Sequence, residues 1–264
     1  MDNYPLLLRI VGVWLALLLF ACQSSPEPAF HSDWSQQPDR IWAGPQYWAN
    51  RLQDWQVRGG RLECVENSEA RPMRVIHLLT GALENQGTEL QMRVETGPID
   101  AGALGEESWT GFLVGAGSEQ IDYRLTALTH HRAAEDGGMF VGVDGTGRVV
   151  FRDFTQGGGG DTWSVTGKTQ PGELAEIEAA ARSGEGLQDQ PFQALRLELS
   201  ARPTGETFSL PLTAKDESGA LLSTASLDGV QTDLLNGSVA LVSHRGPAGS
   251  DKGFWVQDWQ VQGS

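Results

Sequence analysis

One phrase occurs twice and constrains the chain more than any other feature. Gln53, Asp54, Trp55, Gln56, Val57, Arg58, Gly59 stands near the start of the globular part, and Gln257, Asp258, Trp259, Gln260, Val261, Gln262, Gly263 stands at the end. Six of the seven positions are identical. Trp and Val lie two apart in each copy, so a strand puts both on one face and leaves Asp and Gln on the other. The two copies therefore read as the first and last strands of one β-sandwich, side by side and closing it.

The rest of the chain has the pattern of a β protein. Trp55 to Val57, a Gly59-Gly60 turn, then Leu62 and Cys64 read as a hairpin, with Glu63 and Glu66 turned to water. Met73 to Leu79 forms a strand, Leu90, Met92 and Val94 alternate up to Gly97-Pro98, and Ile99 to Ser108 is a loop. Trp109 to Gly115 is apolar at every parity and belongs in a sheet interior. Ile121 to Thr129 reads as a strand, and Met139 to Val143 with Val149 to Phe154 as a hairpin about Asp144-Gly145-Thr146-Gly147. Leu195, Leu197, Leu199 and Phe208, Leu210, Leu212 flank a Thr204-Gly205-Glu206 turn. Leu221 to Leu227, Val239 to Ser243 and Phe254 to Val261 complete about a dozen short strands, the signature of a sandwich or jelly roll. Leu174, Ile177 and Ala181 predict one short helix over Glu173 to Arg182.

The first residues read as an address. Ile10 to Phe20 is apolar but shorter than the ~20 residues that span a bilayer, and it fits the core of a secretory signal over residues 1–21. Leu19, Phe20, Ala21, Cys22 resembles the bacterial lipobox, in which the cysteine is lipidated and becomes the mature N-terminus. Gln23 in place of Asp resembles the outer-membrane sorting pattern of Gram-negative lipoproteins. Residues 22–37, rich in Ser, Pro, Gln and Glu, read as a disordered tether, and residues 38–264 as the β-sandwich domain. The expected partner at this end is the membrane, reached through Cys22.

The 34 acidic and 19 basic residues give a formal charge of −15 with no Lys/Arg cluster, which argues against nucleic acid as a partner. Of two cysteines, Cys22 is assigned to the anchor, and Cys64 has no internal disulfide partner and reads as a small core side chain.

Trp55, Val57, Gly60 and Leu62, the late strand Val239 to Val242 and the closing Phe254 to Val261 resemble concanavalin A-like (LamG-like) jelly rolls. The resemblance implies an all-β antiparallel sandwich with paired terminal strands. More narrowly, Ile41 to Cys64, Val75 to Thr80, Gly111 to Arg124, Gly237 to Ser243 and Phe254 to Ser264 resemble the N-terminal region of exported alkaline phosphatase D (PhoD-like) proteins. Their metallophosphatase domain follows this region. Two-cation phosphoester hydrolysis needs clustered Asp, His and Asn, and the Asp-x-His and Gly-Asn-His stretches that carry it do not occur here. A split gene, a truncated chain and a free-standing accessory protein stay open, with a downstream phosphatase polypeptide as the partner in the first case.

No catalytic set emerges. Glycosidases of related folds set two carboxylates ~5–5.5 or ~6.5–9.5 Å apart, and their Glu-x-Asp-x-x-Glu stretch is absent. Glu63 and Glu66 differ in parity, and Glu135-Asp136 reads as a turn. His130-His131 is the best acid/base or metal candidate by residue type, but adjacent strand residues face opposite ways; His77 and His244 are single strand residues. None has zinc-site spacing. Gly157 to Gly160 lacks the Lys and Ser/Thr of a phosphate loop, and no Gly-x-Ser-x-Gly elbow occurs. No cofactor is expected; a structural calcium ion stays open without assigned ligands. The ligand-binding candidates are Trp109 and Trp163, beside Gly-rich loops and suited to stacking on a sugar ring, with Asp122, Tyr123, Arg124 and His130 as polar groups that orient it. The expected function is an exported, lipid-anchored, non-catalytic binding module for glycan or cell-surface polymer; the rivals are the front of a PhoD-like phosphodiesterase and a degenerate glycosidase.

The address makes one outcome measurable. Labelled fatty acid fed to an expressing Gram-negative host is expected in the mature protein, and Cys22→Ala is expected to abolish its incorporation; a Cys22→Ala variant that stays labelled contradicts the assignment.

Overall fold

The computed structural model describes residues 30–67, 72–83, 89–105, 107–117, 122, 124, 137–154, 192–246 and 251–263. The predicted helix at 173–182, the four glycines at 157–160, Glu135-Asp136, His131 and the leader with Cys22 lie outside the described residues.

Two antiparallel sheets face each other. Strands β1 (Phe30–Ser32), β2 (Tyr47–Trp48), β3 (Trp55–Arg58), β4 (Arg61–Cys64), β5 (Met73–Leu83), β6 (Leu90–Pro98) and β7 (Trp109–Ala116) are followed by β8 (Met139–Asp144), β9 (Val149–Asp153), β10 (Leu195–Pro203), β11 (Thr207–Lys215), β12 (Leu221–Gln231), β13 (Gly237–His244) and β14 (Phe254–Gln262). The eight-stranded sheet runs β12-β11-β10-β6-β14-β4-β3, with β1 also on β14; the six-stranded sheet runs β2-β5-β13-β7-β8-β9. The all-β sandwich expected from the alternation is what forms.

The alternation supplies the core. Met92, Val94, Leu197, Leu199, Leu210 and Leu212 point inward from the larger sheet, against Ile76, Leu78, Phe112, Val141 and Leu241 from the smaller. The smaller sheet is apolar on its other face as well. Met73, Val75, Trp109, Leu113, Phe140, Val150 and Val242 form a second buried cluster there, which is why β7 is buried at every position, as its apolar residues on both faces predict.

Both copies of the repeated phrase lie in the larger sheet, but with β4 between them. β14 pairs with β4 at Trp255–Glu63 and Val256–Leu62, and β4 pairs with β3 at Trp55–Cys64. The side-by-side expectation is corrected by one strand, because the hairpin's own return strand takes that edge of β14. Farther along the same edge, β1 pairs Ser32 with Trp259 and Phe30 with Val261. Residues 30–37 are therefore the first part of the sandwich rather than tether: Trp34 is buried beside Tyr47, and Tyr47 stacks on Trp259 at 6.2 Å.

Trp and Val of both copies are buried, as expected. The Asp residues are not simply turned to water. In β14 the pairing with β6 slips between Gln257–Glu95 and Gln260–Arg93, so one extra residue is inserted. Asp258 takes up that residue at φ +52°, the left-handed region that Asp tolerates better than most side chains. The bulge resets the parity: Phe254 and Val256 point inward before it, Trp259 and Val261 after it. In the first copy Asp54 ends a 3-10 turn (Leu52–Asp54) instead. Its carboxylate accepts from Arg51 Nε at 2.7 Å and from Arg74 Nε, on the opposite sheet, at 2.5 Å. Glu63 is also buried rather than hydrated, bonded by Arg61 and Gln56; Glu66 is exposed.

The Asp54 pair ties the sheets at one end, and both groups are almost fully buried. Removing one partner of such a pair strands the other, at about 3–5 kcal/mol. Asp54→Ala is expected to lower unfolding stability by that amount in urea titration, and Arg74→Met in the same background to restore part of it; equal stabilities of Asp54→Ala and the native chain would refute the role.

Candidate functional site

Trp109 was expected to stack on a ligand; the structure buries it. It is 1% exposed and lies 4.4 Å from both the Phe140 and His244 rings, nearly parallel to the imidazole, with Arg152 over it at 5.2 Å. Its strand lies between β13 and β8, so the side chain rises from the apolar outer face of the smaller sheet into the second cluster. His244 is spent in the same packing. Asp122 and Arg124 are exposed and bound to each other: Arg124 donates from its guanidinium to both carboxylate oxygens and from its backbone N–H to Oδ1 at 2.8 Å. These hydrogen bonds hold the Asp122 carboxyl down at about 2. Arg124 is helical, so this pair is not on the strand expected at 121–129. Tyr123, His130 and Trp163 lie outside the described residues.

The other titratable candidates are structural. His77 is fully buried, ring to ring with Trp48 at 5.7 Å, and its Nδ1 is 3.0 Å from Ser238 Oγ. Burial brings its pKa down to about 3, with Asp122 opposing weakly. Cys64 is a buried core side chain, as expected, and burial pushes its thiol up to about 12. Among the described residues no three His, Cys, Asp or Glu side chains gather as a metal would require.

The arrangement with ligand-binding chemistry is on the outer face of the larger sheet. That face is a mesh of ion pairs: Lys215–Glu198, Arg196–Glu95 and Arg93–Asp258 link successive strands. One indole sits in it. Trp255 alternates with inward Phe254 and Val256, is half-buried, and lies across β6 at Gly97. A Cβ on Gly97 would lie 2.2 Å from the Gln193 carbonyl oxygen and 2.6 Å from the indole, so only glycine admits both beside β6. Arg61 stands over the ring, its guanidinium carbon 5.1 Å from the ring centre. Arg61 Nε donates to Glu63 Oε1 and Gln56 Nε2 to Glu63 Oε2, each at 3.1 Å. Trp255 thus sits in a half-buried cluster with Gly97 against it, the Arg61 guanidinium over it, and Glu63 and Gln56 fixed next to that guanidinium. Sequence reasoning passed over Trp255, although its parity between Phe254 and Val256 already turned it outward.

No protein-family model and no curated protein matches the chain. Solved structures do. Lectin I from Ulex europaeus, in complex with the methyl glycoside of α-L-fucose, aligns over 89% of this chain and 98% of its own at 10% identity, with a TM-score of 0.50. Lectin II from Ulex europaeus covers 90% and 100% at 9% identity and 0.49, and the Emp46p carbohydrate recognition domain, in its metal-free form, 82% and 88% at 9% and 0.49. The fold is a concanavalin A-like jelly roll. At this identity the similarity concerns the fold alone.

Burial of neutral His77 makes stability depend on pH. Its folded pKa is depressed below the unfolded ~6.5, so its contribution is complete above pH 6.5 and is lost as pH falls toward 3, because the unfolded chain takes up the proton first. Urea titrations are expected to show stability falling by up to about 1.4 kcal/mol per pH unit below 6.5, and His77→Gln to flatten the slope between pH 6.5 and 5. An unchanged slope in that variant would contradict this origin.

Proposed function

We propose that the protein is an exported, membrane-tethered binding module whose ligand is a glycan or a carbohydrate-rich cell-surface polymer. The observation that carries the reading is the Trp255 platform. A sugar ring has an apolar face and a polar edge, and a half-buried indole clustered with Arg, Glu and Gln offers contacts of both kinds. Lectin I from Ulex europaeus holds a fucoside on the same fold. The lipobox-like Leu19 to Cys22 supports a lipid anchor, and Gln23 after it supports a position in the outer membrane of a Gram-negative envelope, where such polymers are at hand.

A second reading rests on the PhoD-like stretches. They fall on β2, β3, β4, β5, β7, β13 and β14, the frame of the sandwich. In that reading the domain is the accessory part of a phosphodiesterase whose metal-binding half is a separate or following polypeptide, and a metallophosphatase that co-purifies with the chain supports it.

A glycan array and calorimetry test the first reading. The native protein is expected to bind at least one envelope polysaccharide, and Trp255→Ala to weaken that binding tenfold or more while the thermal midpoint moves little. Absence of binding to any polysaccharide, or full binding by Trp255→Ala, overturns it.

A further inference from the structure

Soluble sandwiches keep large apolar side chains scattered over their surfaces. Here three of the four described as exposed lie on one side. Four large hydrophobic side chains are exposed among the described residues: Ile41 at 86%, Trp42 at 46%, Leu79 at 48% and Leu221 at 55%. Leu221 is on β12, at one edge of the larger sheet. The other three belong to the opposite side. Arg40 bridges β3, the far edge of the larger sheet, through two backbone hydrogen bonds with Val57; seven residues later Tyr47 joins β5 of the smaller sheet. The segment between them crosses from one sheet to the other with Ile41 and Trp42 on it. Leu79 meets the same segment, its N–H donating to Gln46 at 2.9 Å.

The segment is built to hold its shape. Arg40 donates to the Trp42 and Ala43 carbonyls at 2.8 Å each and to Gln37 Oε1 at 3.2 Å, and its guanidinium lies 5.9 Å from the Trp42 ring. Gly44, at φ +134°, makes room: a Cβ there would be 3.2 Å from the guanidinium. Ala43 is wholly buried between the exposed pair and the core. A braced loop that turns Ile and Trp outward, with an Arg behind the indole, has the chemistry of an interfacial anchor. Trp favours the headgroup level of a bilayer and an adjacent aliphatic side chain the acyl boundary, while Arg40 braces the loop that presents them.

The chain supplies the occupant's location. The first described residue is Phe30 on β1, which lines up with β4 along β14 on this same side. Only eight chain steps separate it from Cys22 (30 − 22). Fully extended they reach no more than about 29 Å. We infer that Ile41 and Trp42, with Leu79 at their border, are a second membrane contact that lays this side of the sandwich on the bilayer to which Cys22 tethers it. The inference rests on the tethered reading of Cys22. The contact is too small to recruit the domain by itself, and the formal charge of −15 gives no attraction to anionic lipid. A short tether raises the local concentration of bilayer to about the millimolar range or above, which makes a weak contact persistent. The geometry then turns β12, the opposite edge of the larger sheet, away from the membrane.

The test supplies the tether chemically, so that acylation of Cys22 in the cell and the loop contact succeed or fail separately. The chain from Cys22 onward keeps every described residue. Its Cys22 thiol is coupled to maleimide phospholipid in phosphatidylethanolamine–phosphatidylglycerol vesicles; Cys64 is buried and does not compete. Vesicles with brominated acyl chains quench an indole that reaches the boundary. Quenching by about one tryptophan's share of the emission is expected for the native chain, with loss of most of that quenching in both Trp42→Phe and Ile41→Asp. Ile41 is so exposed that its substitution leaves the fold intact, which an unchanged thermal midpoint checks. Equal quenching of the native chain and Trp42→Phe overturns the inference. So does absence of quenching, including the case in which sedimentation shows a dimer that Ile41→Asp dissociates, since the patch then serves a second copy of the chain.

Discussion

The backbone pairing of β14 on both of its edges holds this sandwich together. β6 takes one edge over nearly its whole length; β4 and then β1 divide the other. The last strand is therefore interior, and the chain's first strand is set against it. Interior strands leave no unpaired ladder, so the closing segment does not become a template for aggregation. The arrangement also has a kinetic consequence. Contacts such as Phe30–Val261 and His31–Asp258 join residues more than two hundred positions apart. Such pairings form late and slowly because loop closure must precede them.

One residue decides which face β14 presents. Without the extra residue at Asp258, either the Phe254–Val256 half or the Trp259–Val261 half would turn its apolar side chains to water. The left-handed backbone at Asp258 is stabilised by its surroundings: its carboxylate meets Arg93 at 2.7 Å, His31 at 2.6 Å and Gln260 at 2.9 Å. These partners come from β6, β1 and β14, so the carboxylate joins three strands at the bulge. Burial opposes its ionisation, yet the hydrogen bonds from Gln260, Arg93 and His31 keep its pKa below the ordinary carboxylate value. Asp54 does comparable work in the first copy of the phrase, joining sheet to sheet through Arg74. The two aspartates are fixed by different local structures, a bulge and a 3-10 turn, although the residues around them are the same.

Much of this was legible because strand alternation is a direct record of burial. The parity of Leu195 to Leu199, Phe208 to Leu212 and Leu90 to Val94, and the turns at Gly59-Gly60 and Asp144 to Gly147, locate seven sandwich strands, four of them in two hairpins, where they form. The repeated phrase located two core tryptophans in one sheet. What parity omits is the identity of the neighbouring strand, so β4 between the copies was not legible, nor was the three-residue β1 inside a segment of tether-like composition. Composition also misled at the site. A Gly-rich flank suggested an accessible Trp109, but the sheet it lies in is apolar on both faces, and an aromatic ring there is covered. Trp255 and Trp42 are accessible for reasons that depend on three dimensions: glycine beneath one, an arginine-braced crossing loop beneath the other.

Hydrogen exchange measured by mass spectrometry on the native chain tests the pairing most directly. The account predicts that amides of 254–262 and 30–32 exchange as slowly as those of β6 and β10, and only through global unfolding, since all belong to one ladder network. Exchange of 254–262 at the rate of the exposed turn at 216–220, with β6 still protected, would show that the closing strand is not held and would contradict the architecture.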